Sequence, residues 1–409
     1  MNPVNRKVTY RLYPTTNQAT ALEHLLSLHQ RLYNAALEQR QTAYRRQRIS
    51  VGYAEQCRDL TALRSTDQDY ATLNAQSAQV TLKRVDLAFQ HFFRRVQERA
   101  GKAGYPRFKS LRRFSGWGYK THGDGWRLIP GPKMPHGRLR LSGVGTIKIR
   151  GKARTIGEPK TCEIQHKNGR WYASITVECS PQRTAGPLAA GMDWGVETLA
   201  TLALSDGTLQ HIDNPRHTRK ALVTLRHAQQ ALSRKRRGSN NREKARRAVS
   251  SLHRKIANQR HHFLHHTSAR LIAMIGFLLT EHLSIRSMTA HGGRRKRGLN
   301  REILNTAPGL FLQMLAYKAE EAGGWYEEAS TRRLKPSQTC HGCGRQAKKA
   351  LSERWHTCPC GVSCPRDDNS ALVLLHEVLS RQELAACGET TRVVSVKHET
   401  PPQALAGVE

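Results

Sequence analysis

The chain has 409 residues, which is more than one compact domain usually contains and predicts two to four structural units. Lys and Arg number 67 against 31 Asp and Glu, so the formal net charge is +36. Because 38% of the residues are hydrophobic, the chain can bury real cores, which excludes a basic tail that only condenses nucleic acid. The length also excludes a small disulfide-stapled peptide. A polyanion is the expected partner, and nucleic acid is the obvious class.

Signals for secretion or membrane insertion are absent from the sequence. The first ten residues lack an apolar stretch, and no run approaches the roughly 18 apolar residues of a membrane span. We therefore expect a cytoplasmic protein that associates with the nucleoid when it is bound to DNA. In a reducing compartment, clustered cysteines favour a metal site over disulfides, and four of the nine cysteines cluster at 340–360.

The first elements predicted along the chain are a strand and two helices. Residues 7–12 alternate like a strand, and Thr15 then offers a helix cap before leucines at helical spacing from Leu22. A second helix is predicted at 75–99, where apolar positions are interleaved with Lys and Arg. Each helix has a basic face, which either is solvated or lies along a phosphate backbone.

Glycine-punctuated, aromatic-rich segments follow this helical region. Asn168-Gly169 predicts a hairpin between strands at 161–166 and 171–179. The first half is therefore predicted to be a β-barrel-like module with a helical insertion. The boundaries are 1–20 and 105–186 for the module and 21–104 for the insertion.

The second half is predicted to be a mixed sheet interrupted by a long basic helical hairpin. Its expected elements are strands at 188–192, 199–204 and 208–212, the hairpin at 216–275 with a break at 238–241, an apolar run at 272–280, a Gly/Arg/Lys-rich loop at 286–300, a helix at 304–321 and a helix at 369–379. The tail at 385–409 has little pattern, so we expect it to be disordered.

Three acidic residues stand at the ends of predicted elements in this basic chain. Asp193 and Glu281 each end an apolar strand, and Asp367 opens a helix. In an RNase H-like sheet such positions meet at one edge, where carboxylates hold two Mg²⁺ ions about 4 Å apart for phosphodiester hydrolysis. Taken singly, Asp193 can be a solvated strand-end acid, and Asp367 or Asp368 a helix cap. The combination of all three favours a nuclease centre.

Four cysteines have the spacing of a zinc site. Cys340 and Cys343 form one knuckle, and Cys358 and Cys360 form a second that is one residue shorter than usual. Four thiolates would bind one Zn²⁺ and close its coordination shell, so the ion would be structural. Cys364 is a possible substitute ligand, and His341 and His356 are less favoured ones.

The basic run of the predicted hairpin is usually explained as a solvated helix face, but too little acid lies nearby for i,i+4 pairs, so phosphate contact is favoured. The histidines at 261, 262, 265 and 266 have helical spacing without a carboxylate neighbour, so we interpret them as residues that pack or contact backbone rather than as metal ligands. The nucleic-acid-binding candidates are Arg107, Lys109, Arg234, Lys235, Arg236, Arg237, Arg242, Lys244, Arg254 and Arg260.

Taken together, these motifs resemble the TnpB family, the transposon-encoded RNA-guided DNA endonucleases related to type V CRISPR effectors. The resemblance covers nearly the whole chain. The motifs that carry it are Tyr10-Arg11-Leu12-Tyr13-Pro14, Gly104-Tyr105-Pro106-Arg107-Phe108-Lys109, Gly191-Met192-Asp193-Trp194-Gly195-Val196, Arg237-Gly238-Ser239, Thr280-Glu281-His282-Leu283, Tyr317-Lys318-Ala319, Pro336-Ser337-Gln338-Thr339-Cys340 and Arg366-Asp367-Asp368-Asn369-Ser370-Ala371.

The resemblance implies an α/β multidomain fold in which a RuvC-type, RNase H-like mixed sheet carries an inserted zinc knuckle. Its implied catalytic triad is Asp193, Glu281 and Asp367, and its implied zinc ligands are the four cysteines named above. The implied boundaries are 187–335 and 363–384 for the nuclease and 336–362 for the knuckle.

The family's activity implies a guide RNA from the transposon end, a double-stranded DNA target with a short motif on its 5′ side, and cleavage of both strands by one site in a chain expected to act as a monomer. By the same resemblance, the amino-terminal module and its insertion would hold the RNA scaffold, the heteroduplex and that motif.

Two departures from the family pattern leave alternatives open. Pro365 stands where the family usually has an acidic residue, and the second cysteine knuckle is short. Some relatives have lost triad residues and act as RNA-guided transcriptional repressors, so guided binding without cutting is the main alternative. An autonomous transposase is a weaker alternative, since its support is only that RNase H-like sites also serve transposition.

Overall fold

The computed structural model describes residues 3–98, 103–129, 137–150, 157–290, 293–350 and 352–386. The chain divides into two compact units at Pro181–Gln182. Among the described residues, no helix is both long and apolar enough to cross a membrane.

In its described residues, the first unit is a seven-stranded antiparallel sheet that forms a nearly closed barrel, with four helices inserted after its first strand. The strand order is β2-β6-β7-β1-β5-β4-β3. The elements are β1 (Val4–Tyr13), α1 (Thr16–Gln47), α2 (Tyr53–Thr66), α3 (Gln68–Ala71), α4 (Ala75–Gln97), β2 (Gly116–Tyr119), β3 (Trp126–Ile129), β4 (Arg138–Leu141), β5 (Gly145–Arg150), β6 (Glu158–Lys167) and β7 (Arg170–Cys179).

Local sequence accounts for these elements. Thr15 and Gln18 form a reciprocal capping box at the start of α1, and the leucines from Leu22 onward are buried on one face of that helix. The predicted hairpin is present, because β6 and β7 pair through Lys167 and Arg170 around the Asn168-Gly169 turn. Inside the core, His29 stacks on Trp117 with ring centroids 5.3 Å apart, and burial lowers the pKa of His29 to about 3.

The second unit is a five-stranded mixed sheet of order β10-β9-β8-β11-β12 with helices on both faces. Strand β8 pairs antiparallel with β9 and parallel with β11. The elements are β8 (Leu188–Trp194), β9 (Thr198–Leu204), β10 (Leu209–Asp213), α5 (His217–Lys220), α6 (Leu222–Ser233), α7 (Asn240–Met274), β11 (Ile275–Glu281), α8 (Ile285–Ala290), α9 (Arg294–Thr306), α10 (Pro308–Ala322), β12 (Trp325–Ala329), α11 (Thr331–Leu334), β13 (Trp355–Thr357), β14 (Ser363–Pro365) and α12 (Arg366–Ala386).

Alternate residues of β8 enter two separate cores, as strand geometry requires. Ala190 and Met192 pack with α7 and α10 on one face of the sheet. On the opposite face, Ala189 packs with Ala203 and Leu279 against the α12 residues Ala371, Leu374, Leu375 and Val378. This second surface, called the α12 face below, also contains Gly191.

The structure corrects three predicted elements. Strand β11 begins at Ile275, because residues 272–274 still belong to α7. The predicted loop at 286–300 is largely helical, since Lys and Arg favour helix strongly enough to tolerate Gly298 inside α9. The single helix predicted at 304–321 is two helices, because Pro308 starts α10 and Ala307 before it adopts a positive φ of 52°. Most of the predicted disordered tail, from 387 onward, lies outside the described residues.

Gly191 supplies a test of how closely α12 lies on β8. A Cβ atom at Gly191 would lie 2.2 Å from the Ala371 carbonyl oxygen and 2.3 Å from the Leu375 nitrogen, both of which are backbone atoms. We therefore expect Gly191→Ala to lower the free energy of unfolding by about 1–3 kcal/mol. Gly298→Ala is the matched control, because a Cβ atom at this helical glycine would meet no heavy atom of the described residues within 4 Å. Gly298→Ala should be neutral or stabilising by up to about 1 kcal/mol. Denaturant titration of both variants measures the difference, and an equal change in their free energies of unfolding would contradict the close approach of α12 to β8.

Candidate functional site

Two of the predicted acids lie side by side at the carboxyl ends of parallel strands. Strands β8 and β11 pair with Met192 opposite Thr280, so Asp193 and Glu281 occupy the next step of the same ladder. Side chains alternate between the two faces of a strand, so Asp193 lies on the same face of β8 as Gly191, and Glu281 on the same face of β11 as Leu279. Gly191 and Leu279 both lie on the α12 face. Sheet register therefore directs the two carboxylates toward the same helix.

That helix supplies the third acid. Asp367 lies in the first turn of α12, and its side chain is 40% exposed. Burial raises the pKa of Asp193 well above its usual value, and the Asp367 and Glu281 carboxylates raise it further, while Arg366 opposes them. Burial also raises the pKa of Glu281. The structure thus places the Asp367 and Glu281 carboxylates close enough to Asp193 to raise its pKa.

Sequence reasoning missed several neighbours of this group. The sequence allows Asp368 to be a helix cap, but its Oδ1 lies 2.7 Å from Nε2 of His211 on β10. Next to Glu281, His282 Nδ1 lies 2.8 Å from Glu328 Oε2. No local motif marks His211 or Glu328, because each lies on a strand distant in sequence from the acid or histidine that it contacts.

The four predicted cysteines form one cluster. The Sγ atoms of Cys340, Cys343, Cys358 and Cys360 all lie within 4.8 Å of one another. Cys340 Sγ is 3.7 Å from Cys360 Sγ, and Cys343 Sγ is 3.5 Å from Cys358 Sγ. These separations are too long for disulfides and close to the about 3.8 Å edge expected of a tetrahedron with Zn–S bonds of about 2.3 Å. The donor set and its geometry fit Zn²⁺.

Each cysteine pair lies on a tight turn that ends in a glycine. Gly344 and Gly361 have φ angles of 72° and 93°, which a residue with a Cβ rarely adopts. Backbone hydrogen bonds from Gly344 N to Cys340 O and from Gly361 N to Cys358 O, of 2.9 and 3.0 Å, close the two turns. The shorter second knuckle therefore still presents both of its thiols.

Within the part of the chain that the structure describes, none of the three alternative ligands joins the cluster. Cys364 is half-buried on β14 and faces His356 across the small β13–β14 sheet. His356 is buried beside Lys349, and Nδ1 of His341 lies 3.0 Å from Asn369 Oδ1. The structure therefore favours the four-cysteine set.

The basic candidates divide into exposed and structurally engaged residues. Arg234, Lys235, Arg236 and Arg237 are exposed at the tip of the α6–α7 hairpin. Arg242, in contrast, donates from Nη1 to the carbonyl oxygens of Leu232 and Lys235 at 3.1 and 2.9 Å, which closes that hairpin. Exposed residues at the tip have side chains available for phosphate, whereas Arg242 has a structural role.

Ion pairs on α7 correct one expectation. The sequence suggests too little acid for i,i+4 pairs, yet Glu243 pairs with Arg246 at 2.7 Å and with Arg247 at 3.2 Å. These side chains are all partly exposed, so the pairs contribute little to stability. Their consequence is local, since one carboxylate partly neutralises this turn of the basic helix.

The remaining candidates also differ in their contacts. Arg107 and Lys244 are exposed, and Arg254 donates to Ser251 Oγ at 3.0 Å. Arg260 donates to the Asn305 carbonyl at 3.1 Å, and burial lowers its pKa. Lys109 is held to α1, because its backbone N–H donates to Asn34 Oδ1 at 2.9 Å and its ammonium lies 4.5 Å from the centre of the Tyr33 ring.

The clustered histidines pack against one another on α7. His261 and His265 have ring centroids 4.4 Å apart, and His262 and His266 are 4.3 Å apart. Burial, together with neighbouring positive groups, lowers the pKa of His265 to about 4. The interpretation of these residues as packing groups rather than metal ligands agrees with these contacts.

The protein has a Cas12f-like α/β fold. The structure resembles that of a Cas12f1 solved in a complex with sgRNA and target DNA, with a TM-score of 0.60 and 11% identity over 91% of this chain and 99% of that one. Residues 172–291 match a family described as "Probable transposase", and residues 309–374 match the TNB domain of Cas12f1-like proteins.

Curated relatives identify the family. A Streptomyces pristinaespiralis protein named "Putative RNA-guided DNA endonuclease" is 32% identical over the whole of this chain and 99% of its own length. The Escherichia coli protein "Putative RNA-guided DNA endonuclease InsQ" is 30% identical over 77% of this chain and 76% of its own. The chain therefore belongs to the TnpB family of transposon-encoded proteins, as its sequence motifs indicated.

One matching family is described differently from the structure of its region. Residues 1–48 match a family described as "Helix-turn-helix domain". Within that range, residues 3–48 form strand β1 and the single long helix α1, which contains no second helix or intervening turn. The segment therefore contributes a barrel strand and an inserted helix in this protein.

Zinc content tests the four-cysteine assignment. The wild type should carry about one zinc per chain, and Cys343→Ser should lower this strongly because it removes one of four thiolates. Cys364→Ser is the matched control, since its thiol lies in the same small domain but outside the cluster, and it should retain the ion. Elemental analysis of the purified, reduced proteins distinguishes the two. Equal zinc loss in both variants, or a metal-free folded wild type, would contradict the assignment.

Proposed function

We propose that this protein is an RNA-guided, Mg²⁺-dependent DNA endonuclease that cleaves both strands of a double-stranded target with one RuvC-type site. The observation that carries the proposal is the grouping of Asp193, Glu281 and Asp367 at one edge of the mixed sheet. The chain has a net charge of +36, so acids that served only to pair with single Lys or Arg residues would lie apart from one another. These three acids lie together instead. Such a group serves metal-assisted phosphodiester chemistry.

The donor chemistry of this group fits Mg²⁺, which prefers carboxylate oxygens. Burial and two neighbouring carboxylates disfavour the charged form of Asp193, and a bound cation would offset that cost. Asp193, Glu281 and Asp367 would hold the ions, and Arg366 would balance part of the remaining negative charge. When bound, the ions supply an activated water and stabilise the leaving 3′ oxygen.

The residues of the chain provide orientation rather than a nucleophile. The ladder between β8 and β11 sets the spacing of Asp193 and Glu281, and the contact of α12 at Gly191 sets the position of Asp367. Rigid elements of this kind hold metal ligands better than loops do. We further propose that the zinc is structural, because four thiolates fill its coordination shell.

We propose a guide RNA and double-stranded DNA as partners. The named relatives and the fold shared with a Cas12f1–sgRNA–target DNA complex support this, as does the large positive charge. The module at 1–20 and 105–186 with its insertion at 21–104 would hold the RNA scaffold, the heteroduplex and the motif beside the target. Guide pairing would select the target sequence, and protein would recognise duplex shape and the short motif.

The proposed triad is tested by single substitutions. Asp193→Ala, Glu281→Ala or Asp367→Ala should each lower the rate of guide-dependent cleavage about 1000-fold or more, because each removes a metal ligand worth several kcal/mol in the transition state. Guided DNA binding should remain, since the basic surfaces are unchanged. Asp206→Asn is the control, because Asp206 caps an exposed turn by accepting from Thr208 N at 2.9 Å.

The measurement uses protein with its transposon-end RNA, a redesigned guide and a plasmid library with random bases beside the target. Sequenced ends beside one enriched motif would support the nuclease and identify that motif. Normal cleavage by any triad variant would refute the assignment of that residue. Guide-matched protection without cleavage by the wild type would instead support the regulator alternative, and Pro365, which faces Trp355 immediately before α12, would be the first position to examine.

The hairpin tip is tested by the salt dependence of binding. Replacing Arg234, Lys235, Arg236 and Arg237 together by Ala should weaken nucleic-acid binding and reduce the slope of log affinity against log salt by about 0.7–0.9 for each phosphate that the variant no longer neutralises. Arg242→Ala is the comparison, because Arg242 closes the hairpin and should lower stability more than it changes the slope. An unchanged slope in the quadruple variant would exclude the tip from the interface.

A further inference from the structure

Asn369 joins the cysteine cluster to the helix that carries Asp367. It lies in the first turns of α12, two residues after Asp367, and its exposed fraction is 0%. Its Nδ2 donates to the Thr339 carbonyl at 2.7 Å and to the Pro336 carbonyl at 3.4 Å. Its Oδ1 accepts from the His341 backbone N–H at 3.1 Å, and His341 Nδ1 lies 3.0 Å away. One side chain thus contacts both flanks of Cys340.

These contacts involve backbone groups of the first cysteine turn. Thr339 and His341 are the immediate neighbours of Cys340. Asn369 therefore hydrogen-bonds the same turn that presents the Cys340 thiol. A buried amide whose donor and acceptor both have partners defines one position for the groups it joins. Movement of the cysteine turn would therefore displace the start of α12.

A second connection reinforces the first. Strand β14 ends at Pro365 and continues directly into α12, and the Arg366 backbone N–H donates to the Arg354 carbonyl at 2.9 Å. Asp367 therefore lies between Arg366 and Asn369, and both of these residues hydrogen-bond the segment that carries the cysteines. The rest of α12 is held differently, because Leu374, Leu375 and Val378 pack on the sheet.

We propose that Asn369 is a positioning residue through which the four-cysteine zinc knuckle orders the first turn of α12 and sets the affinity of the Asp367 site for divalent metal. The catalytic half of this statement rests on the proposed nuclease function. Zinc has a structural role within the knuckle, and the Asn369 contacts extend that role to the proposed catalytic centre. Side chains that orient metal ligands from behind change metal affinity without contacting the ion.

The central experiment titrates Mg²⁺ in guide-dependent cleavage by the full chain with its RNA. Asn369→Ala should raise the half-saturating Mg²⁺ concentration about 10- to 100-fold, with cleavage restored at high Mg²⁺ or by Mn²⁺. Asp367→Ala should not be restored, because it lacks the ligand itself. The Asn369→Ala variant should keep about one zinc per chain and bind target DNA normally. An unchanged half-saturation would overturn the proposal.

Two further variants guard against simple misfolding. His341→Ala removes the Nδ1 contact and a ring contact with His376, 6.2 Å between centroids, but keeps the backbone N–H bond to Asn369, so its half-saturating concentration should rise less than that of Asn369→Ala. Ser370→Ala is the matched control, because Ser370 is buried in the same turn but bonds within α12, to the Arg366 carbonyl at 3.0 Å. It should behave as the wild type, and an equal shift in Ser370→Ala would overturn the role of the tether.

Hydrogen exchange gives a readout that does not need nuclease activity. Chelating zinc from the wild type, or introducing Asn369→Ala, should increase amide exchange at 367–371 while 374–378 stays protected by the sheet. If the wild type does not cleave, the proposed function fails, but this pattern would still support the structural connection. Uniform loss of protection along α12 together with loss of zinc from Asn369→Ala would overturn it, because it would assign Asn369 a general folding role.

Discussion

The contact between α12 and β8 is the constraint on which the second unit depends. Gly191 leaves no room for a Cβ atom, so backbone of the helix lies directly against backbone of the strand. This approach places the first turn of α12 over the ends of β8 and β11, where two acids already face the same side. Without it, Asp367 would have no fixed relation to Asp193 and Glu281.

The electrostatics of this site run against those of the chain as a whole. The net charge of +36 favours the binding of polyanions. At the site, in contrast, negative groups lie together, and burial and repulsion by the other two carboxylates raise the pKa of Asp193. Such a group is costly for the protein alone and favourable when a cation is bound. Elsewhere the positive residues differ in use, since those at the hairpin tip are exposed while Arg242 and Arg260 satisfy carbonyl groups.

The cysteine knuckle is physically continuous with the proposed catalytic centre. Its second strand runs into α12, and Asn369 reaches back to the turn around Cys340. A small segment without a hydrophobic core of its own needs a metal to hold it. In this protein the same ion would also support the start of a helix that belongs to the sheet, which links two elements that look independent along the sequence.

The sequence by itself determined the local elements and the chemistry of the candidate residues. Capping at Thr15, the Asn168-Gly169 turn, the three acids and the four cysteines were all readable, because each depends on side-chain type, spacing or short-range backbone preference. The glycines at 286–300 led to the prediction of a loop, but the helix propensity of the other residues makes this segment largely helical. Hydrophobic periodicity predicted one helix at 304–321, but Pro308 starts a separate helix there. Only the tertiary structure decided that His211 meets Asp368, that Arg242 closes its own hairpin and that Asn369 holds the cysteine turn. These contacts join atoms far apart in sequence or depend on side-chain direction, and neither property leaves a periodic signal in the chain.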